Sequence, residues 1–296
     1  MAYQSPGNMW KFVWGTWLLL SIVPVVAHAA GNAGNTDTHW QVGSAPSFSS
    51  GKYGTDGRTE VLHTPFTARR LFDKGDVTLV FPFTCITGNG VVTVVNGSPV
   101  RSQRSASGTT GTTTGRTGRT ADTSTPSSAA APTTNCGMGD IVVRARYYLV
   151  DERAWMPTIA LRAHVKTPTA SAERGLGTGQ PDEGVGLEVS RRLAPNLLAM
   201  VDGGYTVIGK PVNADYTNNW WYDVGIGRDL ANGVVNLSVF FEEDRAIVQG
   251  LDNARSILTA VTLKGASGWR FQVSGEFGLS DGAPAQGVTI GASRRF

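Results

Sequence analysis

The chain has 296 residues, 41% of them hydrophobic and 17% charged, with a formal net charge of +3. So small a charge argues against nucleic acid or any other strongly charged partner. Beyond the N-terminal segment no long apolar run occurs, which excludes a helical membrane protein and leaves alternating strands as the pattern to follow.

Residues 1–29 read as a secretory signal peptide. Lys11 and the amino terminus supply positive charge, Phe12 to Val26 is the apolar stretch, and Ala27-His28-Ala29 is a cleavage site. A retained membrane anchor is the alternative, but a spanning helix needs about 20 apolar residues. Export places Cys85 and Cys136 in an oxidising compartment, where a disulfide is expected.

Twelve alternating segments follow, near 40–52, 58–70, 76–87, 138–151, 158–168, 183–194, 197–208, 219–230, 234–244, 254–264, 268–279 and 286–296. Each is close to the ~9–11 residues of a tilted membrane strand. The segment 58–70 is ambiguous, because His63 and Pro65 alternate poorly with Leu62 and Phe66. Long connections alternate with short ones such as Ala194-Pro195-Asn196 and Ala231-Asn232-Gly233. Long outer loops and short periplasmic turns are the signature of an outer-membrane barrel. The third connection is the longest. Within it residues 101–135 are rich in Thr, Ser, Gly and Ala, and are expected to be a disordered outer loop fastened at its base by the two cysteines.

Strand side chains alternate faces. On 268–279, Trp269, Phe271, Val273, Phe277 and Leu279 share the lipid face, and Arg270, Gln272, Ser274 and Glu276 the lumen face. By the same alternation Arg144, Arg146, Arg162, His164 and Lys166 point inward from two adjacent strands. An acidic arc follows with Glu188, Asp202, Asp223 and Glu242. Charges at membrane depth are tolerated only away from lipid. The basic track and acidic arc would therefore orient a polar or anionic solute in an open pore, or else close the lumen by pairing with each other. Trp220, Tyr222, Tyr205 and Trp269 suit the aromatic girdles of the two interfaces.

No metal or cofactor is expected. His39, His63 and His164 lie far apart without ligand spacing, and Arg174 to Gly179 is glycine-rich but does not sit between a strand and a helix. An outward-facing His63 would be needed for a membrane-embedded hydrolase, but no Ser or Asn arrangement singles itself out, and an enzyme is not expected.

Several stretches resemble one family. They are Ser50 to Asp56, Ile86-Thr87-Gly88, Gly137-Met138-Gly139-Asp140, Val165-Lys166-Thr167-Pro168-Thr169, Arg174 to Gly179 with Asp182, Trp220-Trp221-Tyr222, Leu279 to Pro284, and the Arg295-Phe296 end. The chain resembles the bacterial outer-membrane barrels labelled "putative MetA-pathway of phenol degradation". The resemblance implies a single outer-membrane β-barrel with a proposed role in moving small compounds, aromatic ones among them. It supplies no substrate residues. Arg294 departs from the pattern, standing where barrels commonly place an aromatic residue.

The fold expected is all-β, an antiparallel transmembrane barrel of about twelve strands. The function expected is passive passage of small polar, anionic or aromatic solutes. Two alternatives are a lateral-opening transporter for hydrophobic compounds, with apolar residues pointing inward near the outer loops, and a structural barrel whose long loop is its working part. Expected partners are outer-membrane lipid and lipopolysaccharide, the barrel-assembly machinery and a small-molecule solute. Oligomeric state is not readable from the sequence.

Overall fold

The computed structural model describes residues 39–55, 57–90, 92–95, 98–101, 132–212 and 214–296. The signal peptide reading and nearly all of the low-complexity segment lie outside the described residues. The ends of that segment are described, and they are strand: Arg101 closes a short hairpin and Thr133 opens a barrel strand.

The first barrel strand is split into β1 (Trp40–Ser44) and β2 (Ser47–Gly51). After it come β3 (Thr59–Phe72) and β4 (Gly75–Gly88). The hairpin of β5 (Val92–Val95) and β6 (Ser98–Arg101) forms its own small sheet. The next barrel strand is also split, into β7 (Thr133–Met138) and β8 (Ile141–Val150), both paired with β4. The circuit continues through β9 (Thr158–Thr167), β10 (Asp182–Ala194), β11 (Leu197–Val207) and β12 (Asn219–Leu230). It ends with β13 (Val235–Asp244), β14 (Ala254–Lys264), β15 (Trp269–Gly278) and β16 (Gln286–Arg295). β16 pairs back onto both pieces of the first strand, Val42 opposite Arg294 and Phe48 opposite Val288. All neighbours are antiparallel, and the result is a closed barrel of 12 strands. Closure leaves no edge, which is the condition for a sheet to cross lipid.

Burial is inverted relative to a soluble sandwich. Leu62, Phe66, Leu161, Val201, Ile226, Val273 and Ile290 point outward and are exposed, whereas Thr84, Lys166, Asp182 and Asp202 point inward and are fully buried. Lipid, not a protein core, is the solvent for the apolar face.

Two prolines show why this sequence tolerates its broken strands. Pro65 and Pro82 stand opposite each other across β3 and β4. Neither has an N–H to give, so each would leave a hole in its other ladder. Pro65 faces the break at 45–46 between β1 and β2, and Pro82 faces the break at 139–140 between β7 and β8. The ladder gap and the missing donor coincide on both sides. This also settles the ambiguous strand. His63 points inward, is 3% exposed and bonds Thr84 Oγ1 through Nδ1 at 2.7 Å. It does not face lipid, which removes the geometry the hydrolase reading required.

Connections segregate by length. Short ones join β3 to β4, β8 to β9, β10 to β11, β12 to β13 and β14 to β15 at one end, and the longer ones gather at the other. The turn before β15 uses Ser267 and Gly268 at positive φ. A Cβ on Gly268 would lie 2.3 Å from the Arg295 carbonyl oxygen, so only glycine fits there.

Aromatic residues mark both rims. Trp220 stacks on Tyr222 at 5.9 Å near the outer end of β12. At the periplasmic rim Arg70 lies over Trp40 at 5.3 Å and Arg294 over Trp269 at 5.8 Å. Arg294 therefore stays on the outward face: its guanidinium covers an interfacial ring instead of facing hydrocarbon.

Cys85 and Cys136 stand opposite each other across β4 and β7 and are joined by a disulfide. The bond ties the base of the longest connection.

Candidate functional site

Inside the barrel the polar side chains form two layers, the lower one continued by an acidic arc. The outer one is centred on Lys166, at the end of β9 and fully buried. Its Nζ lies 2.7 Å from Asp182 Oδ2 and 3.1 Å from Asp140 Oδ2, and it donates to Thr178 Oγ1 at 3.0 Å. The two carboxylates are themselves tied to backbone. Asp140 Oδ1 accepts from the Ala170 N–H at 2.9 Å, and Asp182 Oδ1 accepts from the Gly209 N–H at 2.9 Å. One ammonium thus pins the connections 168–181 and 208–218 to the barrel wall. Gly177 is glycine because a Cβ there would lie 2.7 Å from Asp140 Oδ2.

The lower layer is a chain of ion pairs crossing six consecutive barrel strands. Arg69 Nη2 donates to Asp76 Oδ2 at 2.5 Å. Arg146 reaches Asp76 at 4.0 Å and Glu188 at 3.7 Å. Arg162 reaches Glu188 at 3.8 Å and pairs directly with Asp202. Of these side chains only Arg146, at 13%, is more than 6% exposed. The basic track and the start of the acidic arc are therefore interleaved, not opposed across a pore. Arg144 and His164 stand opposite each other in register just outside this layer.

Beyond Asp202 the arc continues with Asp223 opposite it on β12, then Glu242 opposite Asp223 on β13. Glu276 on β15 faces the same interior and is 3% exposed. Arg270 stands apart, at the periplasmic end in register with Lys264.

Large rings fold flat onto the glycines of this wall. A Cβ on Gly204 would lie 2.6 Å from the Trp221 ring, and one on Gly186 would lie 3.1 Å from it. The Arg162 guanidinium lies over that indole, 5.6 Å from its centroid. Phe240 crowds Gly225 in the same way.

The outer mouth is apolar and capped. The Val94 N–H donates to the Gly175 carbonyl at 3.1 Å, and Thr93 Oγ1 donates to it at 3.0 Å, so the β5–β6 hairpin is laid against the connection 168–181. Val94 and Leu176 then cluster with Val61, Ile86 and Ala170. On the other side of the hairpin Val95 clusters with Ile208, Tyr216 and Ile247. Between hairpin and wall lies a cleft that is partly open to solvent. Its lining includes Tyr53, Val100, Trp221, Ile247 and Leu251, with Asn219, Asp244 and Arg245 as polar members. Tyr53 is 2% exposed and hydrogen-bonded to Ser49 at 3.1 Å. Burial raises its hydroxyl pKa, so it stays protonated.

Alternation alone placed Arg144, Arg146, Arg162, His164, Lys166, Glu188, Asp202, Asp223, Glu242, Arg270 and Glu276, and all of them do point inward. It missed Arg69 and Asp76, which sit in the ambiguous strand and its neighbour. Asp140 and Asp182 were visible only as motif residues. The hairpin cap had no signal of its own, being two short runs within a long connection.

A family model described as "Putative MetA-pathway of phenol degradation" matches residues 68–296. No curated protein matches the chain by sequence. Among solved structures, an outer membrane channel from Pseudomonas putida F1 is similar at a TM-score of 0.63 and 11% identity, covering 90% of this chain and 100% of that one. The transport unit of the autotransporter AIDA-I from Escherichia coli gives 0.48 at 9% identity, covering 90% and 92%. The CymD monoaromatic hydrocarbon channel gives 0.43 at 9% identity, covering 88% and 89%. At 11% identity the first similarity concerns the fold alone.

Proposed function

For a chain that belongs to the outer-membrane barrel family described as "Putative MetA-pathway of phenol degradation", we propose the passage of small, mainly apolar compounds through the outer membrane, by way of the capped mouth cleft. The observation that carries this reading is the apolar lining of that cleft, set directly above a lumen crossed by buried ion pairs. An apolar ring gains by leaving water for Tyr53, Val100, Ile247 and Leu251, at about 25 cal/mol per Å² buried. The layer below offers it nothing comparable. Displacing paired, desolvated charges costs several kcal/mol by rough estimate. The route that avoids this cost leaves the mouth through the wall, as in the lateral-opening alternative. The basic track is then a framework that holds the lumen shut, and the anion-guiding role gives way to it.

The test compares two measurements on the refolded protein. Planar-bilayer recordings are expected to show little steady conductance, while vesicles carrying the protein take up uncharged single-ring aromatics faster than empty ones. Steady, anion-preferring conductance that is lost on replacing Arg144, Arg146 and Arg162 with Ser would overturn this reading in favour of a polar pore.

A further inference from the structure

The seam where the barrel closes carries a pair of cations on its outward face. β1 lies between β16 and β3, with Val42 opposite Arg294 on one side and Trp40 opposite Arg70 on the other. Both arginines stand on the outward face at the periplasmic rim, so two guanidiniums flank a strand of five residues. Among the described residues neither is in an ion pair or a hydrogen bond. Each lies over rings instead, Arg70 over Trp40 and Phe72, and Arg294 over Trp269. The nearest acid along the chain, Asp73, is exposed and is followed by Lys74.

The surface on their hydrocarbon side is a second, independent observation. One row deeper into the membrane the outward residues run Phe271, Ala292, Ser44 and Phe66 across β15, β16, β1 and β3, each opposite the next. Phe271 and Phe66 project, at 46% and 55% exposure. Between them the two small side chains leave a shallow furrow that starts beside Arg294. The exposed rings of Trp40 and Trp269 set the arginine row at the membrane–water interface. From rim to hydrocarbon the order is thus charge, aromatic ring, apolar furrow, which is the order of chemistry along a phospholipid.

We propose that this seam binds an anionic phospholipid of the periplasmic leaflet, its phosphodiester on Arg70 and Arg294 and an acyl chain along Ala292 and Ser44. A guanidinium matches two phosphate oxygens with a fork of N–H donors. A cation–π contact at an exposed site is weaker than a charge-assisted hydrogen bond, so a phosphate draws both guanidiniums off their rings. A zwitterionic headgroup adds an ammonium, which two guanidiniums repel. Lipopolysaccharide is not the occupant, because its phosphates lie in the opposite leaflet. The departure of Arg294 from the aromatic residue common at that position thereby acquires a role: it turns a rim anchor into half of a headgroup site. A lipid held there spans β16 and β3 and braces the short strand between them.

The experiment is native mass spectrometry of the refolded mature protein in neutral detergent, with dioleoyl phosphatidylglycerol and dioleoyl phosphatidylcholine at equal mole fraction. Phosphatidylglycerol is expected to be retained at least about fivefold over phosphatidylcholine, and sn-glycerol 3-phosphate at the same concentration is expected not to displace it. In the Arg70→Gln/Arg294→Gln variant, with folding checked by heat-modifiable migration, the ratio is expected to fall to about one. If that variant does not fold, Arg294→Gln alone is expected to lower the ratio at least about twofold. The control Arg153→Gln/Arg228→Gln, which removes exposed charges elsewhere along the periplasmic end, is expected to keep the full preference. Equal retention of the two lipids, or a preference that survives loss of Arg70 and Arg294, would overturn the site. An equal fall in the control would replace it with a diffuse basic rim, and displacement by the glycerophosphate would show a site for free phosphate in place of a lipid.

Discussion

Replacing Lys166 with Met removes the one cation between Asp140 and Asp182 while keeping most of its apolar stem. The side chain is fully buried, with carboxylate oxygens at 2.7 and 3.1 Å. Breaking a buried pair from one side costs about 3–5 kcal/mol, because the remaining charge is stranded. Two carboxylates would be stranded here, but both sit at the outer rim, where the connection 168–181 can lift and let water in. The cost is therefore expected in loop detachment more than in global unfolding. Some 3–5 kcal/mol corresponds to roughly two to three and a half powers of ten in the open-to-closed ratio. Arg174 on that connection is exposed, so trypsin reports the opening. Under limiting protease, cleavage at Arg174 should accelerate by about a hundredfold or more if it proceeds through the open form. Adding Asp140→Asn and Asp182→Asn should recover most of the loss, since neutral amides are less costly to bury. Equal cleavage rates in the wild type and Lys166→Met would refute the view that the lysine pins the loop.

The disulfide closes a span of 51 residues, so Cys85→Ser/Cys136→Ser should lower unfolding stability by about 4 kcal/mol on the chain-entropy account, read as a shifted denaturant midpoint in detergent. A midpoint unchanged on reduction would show that the span is already constrained when unfolded. Leu176 is 2% exposed and packs with Val94, so Leu176→Asp should lift the hairpin and alter aromatic uptake while leaving bilayer conductance as low as in the wild type, because the ion-pair layer still closes the lumen; conductance raised several-fold would place the block at the hairpin instead.

A period of two was enough to fix the barrel and the facing of nearly every charged side chain. It works because lipid and lumen demand opposite chemistry of alternate residues, and a slip of one would put Arg162 or Asp202 into hydrocarbon. Loop lengths gave the orientation, since short turns need only local chemistry. Strand β3 was harder, because Pro65 reads as a strand breaker until its missing donor is matched to a break in the neighbouring strand, about twenty residues away in sequence. The pairing of charges stood in the sequence only as the alternative to an open pore. Facing is a property of one strand, but whether Arg162 meets an anion from solution or the carboxylate of Asp202 depends on register between strands and on side-chain reach. The hairpin cap belongs to the same class. Val94 and Leu176 carry no periodic signal, and they meet only because Lys166 ties one connection down beside the other. Sequence alone determined the kind of wall this protein builds. The tertiary structure decided that charges on that wall close on one another beneath an apolar, capped mouth.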